Sequence, residues 1–138
     1  MKKQTGFSLI EVMVVIAILG LLASLILPNV LGSADQANRQ KARTDIIALE
    51  NALAQYRLDN SVFPTTEQGL EALIEEPNVD PRPRNYRRGG YIQRLPADPW
   101  GNEYLLLSPG EYADIDIFSA GPDGQTGTDD DIGNWNIE

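Results

Sequence analysis

The N-terminal part of the chain is dominated by one long apolar run. Residues 7–31 contain a single charged side chain, Glu11, and residues 12–27 contain none. About 20 apolar residues in a helix span the hydrocarbon core of a bilayer, so the run predicts a transmembrane helix. Two lysines precede the run and the next basic residue is Arg39. This asymmetry predicts a cytoplasmic N-terminus, with the rest of the chain on the other side of the membrane.

A cleaved secretory signal peptide is the simpler alternative for this run. The apolar region of such a peptide covers about 7–15 residues and ends at a cleavage site between small residues. The run here is longer and continues directly into an amphipathic stretch. The pattern therefore favours a retained helix.

After residue 31 the pattern becomes amphipathic. Pro28 predicts a kink or a local loosening of the helix, and Gly32 and Ser33 predict a soft junction. Farther on, apolar residues recur at spacings of four and three, which predicts a helix with one buried stripe: Ala42, Ile46, Leu49, Leu53 and Tyr56. The two parts together predict a helical spine from about Phe7 to Leu58, roughly 80 Å long at 1.5 Å per residue.

The remaining pattern consists of short elements separated by turns. Residues 65–68 match a capping box before a short apolar stripe, and a proline-rich loop follows. Three short runs predict strands, and the short links between them favour an antiparallel meander: Gly90–Leu95, Glu103–Leu107 and Ala113–Phe118. We therefore predict an α+β fold, in which a long N-terminal helix, transmembrane and then amphipathic, packs on a small three-stranded antiparallel sheet, with an αβ loop between them.

Composition excludes several kinds of chemistry. The 138-residue chain has no histidine and no cysteine, which removes the usual zinc ligands, cysteine nucleophiles, histidine bases and disulfides. Serine and acidic residues are present, but no nucleophile-and-base constellation accompanies them. We expect no enzyme activity, and a membrane-anchored enzyme stays a remote alternative.

The charges are unevenly placed within a net charge of −9. Five arginines cluster in the proline-rich region: Arg82, Arg84, Arg87, Arg88 and Arg94. No basic residue follows them, whereas ten acids follow. This asymmetry argues against nucleic acid as a partner. The cluster is either a solubilising surface or an intersubunit contact with the acidic C-terminal region, and the sequence leaves both readings open.

Residues 119–138 form an acidic, glycine-rich segment. Twenty residues with so little apolar content are not ordered by packing alone, yet Ile132 and Trp135 predict that the end of the segment is held against the core. A hard cation such as Ca²⁺ would order the segment, because it binds six to eight carboxylate and carbonyl oxygens. The alternative is a flexible acidic tail.

The N-terminal motif is more specific than its hydropathy. Gly6-Phe7-Ser8-Leu9-Ile10-Glu11 resembles the class III leader of type IV pilins and pseudopilins. The resemblance implies cleavage between Gly6 and Phe7 by a prepilin peptidase and N-methylation of Phe7. It divides the chain into a leader peptide at 1–6, a transmembrane half-helix at 7–31 and a periplasmic globular domain at 32–138.

Glu11 lies within the predicted transmembrane helix, where an unpaired carboxylate costs at least a few kcal/mol. The resemblance implies that Glu11 acts in assembly by pairing with the α-amine of Phe7 in a neighbouring subunit. The alternative is that Glu11, one turn from the start of the processed helix, reaches the lipid headgroups.

Motifs along most of the chain resemble the major pseudopilins of type II secretion systems. The motifs are Tyr56-x-Leu58-Asp59-Asn60, Pro64-Thr65-Thr66-Glu67-Gln68-Gly69-Leu70, Pro96-x-Asp98-Pro99-Trp100-Gly101, Phe118-Ser119-x-Gly121-x-Asp123-Gly124 and Asp130-Asp131-Ile132-Gly133-Asn134-Trp135. The resemblance implies one structural Ca²⁺ in a calcium-tied C-terminal loop. Its ligands would be the side chains of Asp123, Asp130 and Asp131 and the main-chain oxygens of Ala120 and Gln125.

The same resemblance implies the function and the partners. The subunit would polymerise into a helical homo-oligomer, the periplasmic pseudopilus, and help to drive folded proteins across the outer membrane. Before assembly it would be a single-pass inner-membrane protein. Its other partners would be minor pseudopilins, an inner-membrane assembly platform and the prepilin peptidase. A type IV pilin and a minor pseudopilin are the alternatives. Type IV pilins commonly close their C-terminal region with a disulfide, which a cysteine-free chain cannot form.

Overall fold

The structure, a computed structural model, describes residues 6–137, and for 26–31 it describes the backbone only. Most of the predicted leader peptide and the side chain of Pro28 therefore lie outside the described residues. Contacts divide the chain into two units, the first ending at Ala37 and the second beginning at Asn38.

One helix, α1 (Leu9–Asn60), provides the N-terminal half of the chain. Its bounds confirm the predicted spine to within two residues at each end. Between Phe7 and Leu25 the large apolar side chains are exposed. Among the residues that the structure describes, no helix has the length and apolarity needed to cross a membrane.

The second unit is built on the predicted helical stripe. All five stripe residues are buried, and Ile46, Leu53 and Tyr56 have no exposed surface. The stripe shares one core with Leu73, Ile117 and other buried side chains of the sheet and loops. Full burial of such a side chain stabilises the fold by about 1.5–3 kcal/mol, so this stripe holds the helix to the rest of the unit.

The segment after α1 confirms the predicted capping box. The N–H of Thr65 donates to Gln68 Oε1 at 3.0 Å, and the N–H of Gln68 donates to Thr65 Oγ1 at 3.2 Å. This reciprocal pair leads into a single 3₁₀ turn, Leu70–Leu73. Leu70 and Leu73 are buried, so the turn closes one side of the core.

Three antiparallel strands complete the second unit. They are β1 (Leu105–Leu107), β2 (Asp116–Ser119) and β3 (Ile132–Gly133), in the spatial order β1-β2-β3. Residues Leu106 and Ile117 face each other in the first pair, and Ser119 and Ile132 in the second. The arrangement confirms the predicted α+β fold with a three-stranded antiparallel meander.

The position of the first predicted strand is wrong. Gly90–Leu95 is not a strand, because the N–H groups of Tyr91 and Ile92 both donate to the carbonyl of Leu73, at 2.7 and 3.2 Å. Gly90 turns the chain there with φ +76°. The third strand comes instead from the acidic C-terminal segment, where β3 occupies two residues.

The anchored end of that segment was predicted correctly. Ile132 is buried in β3, and the Trp135 ring stacks on Tyr112 with a centroid distance of 4.5 Å. Trp135 also lies directly on Gly133, where an added Cβ would come within 2.3 Å of the indole. The close approach explains why a glycine occupies this strand position.

Candidate functional site

The first candidate site is the start of α1. The N–H of Ser8 lies 3.4 Å from Glu11 Oε2, and the N–H of Glu11 lies 3.3 Å from Ser8 Oγ. This reciprocal pattern is a capping box. The Ser-x-x-Glu spacing is a sequence signal for such a box, but it was not recognised from the sequence. Gly6 and Phe7 precede the helix, so the peptide bond between them lies outside it.

The C-terminal loop begins at a buried polar network. Asp98, only 4% exposed, accepts hydrogen bonds from the N–H groups of Trp100 and Asn102 at 3.0 and 2.7 Å. Its second oxygen accepts from Ser119 Oγ at 2.5 Å, and Ser119 Oγ accepts from the N–H of Gly121 at 3.1 Å. The network joins the 98–102 turn to the first residues of the loop. The sequence analysis did not predict this role for Asp98.

The loop brings most of the predicted calcium ligands around Thr128. Thr128 Oγ1 lies 2.5 Å from Asp130 Oδ1, 3.1 Å from the Gln125 carbonyl and 3.4 Å from Asp131 Oδ1. Asp130 Oδ2 also accepts from the N–H of Asp123, at 3.2 Å. The sequence analysis missed Thr128, because a lone threonine in a polar loop carries no signal of its own.

Two further carboxylate oxygens of the loop are also engaged. Asp131 Oδ2 accepts from the N–H of Gly127 at 2.7 Å, and Asp123 Oδ1 accepts from the N–H of Gln125 at 2.8 Å. Ala120, the fifth predicted ligand, is buried at the start of the loop. Next to it, an added Cβ on Gly121 would lie 2.4 Å from the Asp130 carbonyl oxygen. The two ends of the loop are therefore in close contact.

The loop electrostatics favour the charged form of Asp130. The hydrogen bond from Thr128 lowers the pKa of the Asp130 carboxyl below its usual value, and the Arg39 guanidinium on α1 adds a smaller lowering. A carboxylate that stays ionised is the form that binds a cation.

The ligand atoms of the loop are of the kind that a hard cation binds, but their present arrangement suits a cation less well. Every group gathered by the loop binds through oxygen, which is the chemistry that Ca²⁺ prefers. Within residues 6–137, however, no three acidic side chains are placed so that they form a metal-holding group. The Thr128 hydroxyl and several main-chain N–H groups satisfy the carboxylates instead.

These features define a class of protein. A long N-terminal helix exposes an apolar surface in its first part and packs its second part on a small antiparallel meander. A Gly6-Phe7 pair precedes the helix, and a glutamate follows four residues after the phenylalanine. This combination is typical of pilin-like subunits.

Comparison with known proteins identifies the family. The family model "Type II secretion system (T2SS), protein G" matches residues 29–135, and the "Prokaryotic N-terminal methylation motif" matches residues 1–27. The chain is 63% identical to the type II secretion system core protein G of Aeromonas hydrophila over 137 residues, 99% of this chain and 96% of that protein. It is 64% identical to the protein of that name from Vibrio cholerae, over 100% of this chain and 96% of that one.

A solved structure agrees with the sequence comparisons. The crystal structure of the major pseudopilin from the type 2 secretion system of enterohaemorrhagic Escherichia coli is 61% identical and superimposes with a TM-score of 0.76, covering 78% of this chain and 91% of that one. The chain belongs to the type II secretion system protein G family, the major pseudopilins. It is a structural subunit of the periplasmic pseudopilus, and this confirms the resemblance that its motifs indicated.

Proposed function

We propose that the chain is a precursor that is cut between Gly6 and Phe7 by a prepilin peptidase and N-methylated on Phe7. Residues 7–31 then hold it in the inner membrane, with residues 32–138 in the periplasm. From there it polymerises, with minor pseudopilins and an inner-membrane platform, into a helical filament that helps to move folded proteins outwards. Its role is mechanical, and no catalytic step is assigned to it.

The exposed apolar surface of the first part of α1 is the observation that carries this proposal. Phe7, just before the helix, is 86% exposed, Leu9 is 80% exposed, and the other large apolar side chains from Ile10 to Leu25 are 45–71% exposed. A surface of this extent needs an apolar environment. Lipid supplies that environment before assembly, and the equivalent helices of other subunits supply it within a filament.

Glu11 is proposed to set the register between subunits. Cleavage before Phe7 creates an α-amine that is positively charged at neutral pH, and Glu11 of a neighbouring subunit is its counter-ion. Because Glu11 also takes part in the capping box, a variant that removes only its charge is needed to separate the two roles. Glu11→Gln is that variant, since glutamine is compatible with a capping box.

The test measures filament yield and membrane insertion for Glu11→Gln and Glu11→Ala in cells that carry the secretion system. We expect both variants to insert and both to lose filaments, because each removes the charge. A Glu11→Gln subunit that assembles as well as the unaltered chain would contradict the pairing and leave Glu11 as a helix cap.

We further propose that one Ca²⁺ ties the C-terminal loop. Asp123, Asp130 and Asp131 would bind it through their side chains, and Ala120 and Gln125 through main-chain oxygens. Three of these oxygens, from Gln125, Asp130 and Asp131, lie within 3.4 Å of Thr128 Oγ1, which supports the proposal. When bound, the ion neutralises the carboxylates and ties the start of the loop to the residues just before β3.

Thermal melting of the full chain tests the calcium site. A ligand that binds only the folded state stabilises it by about 2.7 kcal/mol at 100 times its Kd, so Ca²⁺ should raise the melting temperature above that in EDTA or Mg²⁺. Asp131→Asn should abolish the rise. Asp129→Asn should retain it, because Asp129 is an exposed neighbour outside the proposed ligand set. Equal melting temperatures for the unaltered chain in Ca²⁺ and in EDTA would contradict the site.

A further inference from the structure

A groove on the second unit is acidic and partly aromatic. It encloses 580 Å³ between the 3₁₀ turn, β1, the β1–β2 loop and the C-terminal loop. Four of its acids are exposed and take part in no ion pair within the described residues: Glu67, Glu71, Glu103 and Glu111. The stacked rings of Tyr112 and Trp135 also line it, and no lysine or arginine does. We call this surface the acidic groove.

The proline-rich loop presents two arginines that have no acidic partner in the described part of the chain. Arg82 and Arg87 are engaged: the first donates to the Asn78 carbonyl at 3.2 Å, and the second lies 3.1 Å from an Asp59 carboxylate oxygen. Arg84 and Arg88 are exposed, and their side chains form no hydrogen bond or ion pair with the residues that the structure describes. We call these two residues the arginine pair.

The backbone between the two arginines is held rigidly. The N–H of Asn85 donates to Asn60 Oδ1 at 3.0 Å, and the side chain of Asn85 donates to the Asp59 carbonyl at 3.3 Å. The next residue, Tyr86, packs edge-on against Tyr91 with a centroid distance of 5.5 Å. Arg84 and Arg88 therefore project from an ordered loop, which lowers the entropic cost of binding them.

We propose that the acidic groove of one subunit receives the arginine pair of a second copy of this chain. The inference rests on the proposed assembly into a filament. A guanidinium binds carboxylates through two parallel hydrogen bonds and stacks on aromatic rings, and the groove offers both kinds of partner. The occupant is a second copy because the chain itself carries the complementary charge on a separate, ordered surface.

The symmetry of this contact suits a filament. The groove and the arginine pair use different residues, so the same contact can be repeated head to tail from one subunit to the next, as a heterologous contact. Heterologous contacts that do not close into a ring generate open helical assemblies. The proposed contact adds charge complementarity between globular units to the apolar packing of the spines.

Cysteine cross-linking tests the contact in the full-length chain. The natural chain has no cysteine, so a disulfide between two copies can join only introduced cysteines. Two differently tagged copies are produced together with the secretion system, one carrying Arg88→Cys and the other Glu103→Cys. We expect a cross-linked product that contains both tags. In the matched control, Asp114→Cys replaces Glu103→Cys, since Asp114 is exposed and lies outside the groove, and we expect no product.

Charge reversal provides the second measurement. Arg84→Glu with Arg88→Glu should lower filament yield about tenfold, because like charges would then face each other across the contact. Adding Glu71→Arg and Glu103→Arg to the same chain should restore the yield. The contact would be overturned if the double arginine variant formed filaments normally and the cysteine pair gave no cross-linked product. The filament role would still stand in that case. Failure of the unaltered chain to form filaments would overturn both.

Discussion

At the scale of single residues, two buried aspartates organise the turns around the sheet. Asp98 accepts hydrogen bonds from Trp100, Asn102 and Ser119. Asp116 has no exposed surface and accepts from the N–H groups of the β1–β2 loop. In the sequence, Asp98 belongs to the Pro96–Gly101 motif and Asp116 to the predicted strand Ala113–Phe118, and neither pattern indicates a buried carboxylate. Their roles were not predictable, because they depend on which N–H groups the folded chain brings to each carboxylate.

Removing the Asp116 carboxylate should destabilise the protein strongly. Asp116→Ala leaves the N–H groups of Glu111, Tyr112 and Ala113 without their acceptor, and we expect a loss of about 3 kcal/mol in the free energy of unfolding. Asp114→Ala is the control, because Asp114 is exposed and its pairing with Arg57 at 3.4 Å contributes at most about 1 kcal/mol. Urea unfolding measures both. Equal losses would contradict the account of the β1–β2 loop.

Tyr86 should make stability depend on alkaline pH. Burial, with smaller effects from Tyr91, Tyr56 and two glutamates, raises the pKa of Tyr86 to about 12. Because the folded-state pKa lies above the ordinary value of about 10, this contribution to stability is complete below pH 10 and is lost as the pH rises towards 12.

Tyr86→Phe tests this dependence. The Tyr86 hydroxyl is buried without a hydrogen-bond partner among the described residues, so the substitution should not lower stability at pH 7. It should make the fall in stability between pH 10 and 12 shallower than in the unaltered chain, as followed by urea unfolding at each pH. An unchanged slope would show that Tyr86 has its ordinary pKa in the folded protein.

At the scale of elements, the period of the apolar pattern predicted the helix better than the strands. The stripe along α1 repeats over four turns, and the structure buries all of it. The strands are two to four residues long, which is too short for alternation to be distinctive. Gly90–Leu95 contains the strand-favouring residues Tyr91 and Ile92, but their N–H groups bond to the carbonyl of Leu73. β3 is a two-residue strand in a glycine- and aspartate-rich segment, and only its pairing with β2 reveals it.

Two leucines on α1 test the importance of the stripe. Leu53→Ala removes a side chain with no exposed surface from the core and should cost about 2–5 kcal/mol in the free energy of unfolding. Leu58→Ala removes a side chain that is 82% exposed and should change stability by less than about 0.5 kcal/mol. Urea unfolding compares the two. A comparable loss in both variants would contradict the placement of the core on one face of α1.

At the scale of the whole molecule, the N-terminal motif and the later landmarks were sufficient for the family and the fold class. They were less informative about the loop. Three of the five residues implied as calcium ligands, Gln125, Asp130 and Asp131, have oxygens within 3.4 Å of Thr128 Oγ1. Asp98 and Ser119 hold the start of the loop, and nothing in the spacing of these residues indicated either arrangement. The acidic groove was likewise not predictable, because Glu67 and Glu71, Glu103, and Glu111 come from three separate segments.

Isolation of filaments tests the central claim most directly. Filaments would be isolated from the periplasm of cells that produce this chain with its secretion system, and the mass of the main subunit would be measured. The account predicts filaments built mainly from this chain, with a subunit mass that corresponds to a chain beginning at N-methylated Phe7. Filaments that lack this chain, or a chain that stays in the membrane with residues 1–6 attached, would contradict it.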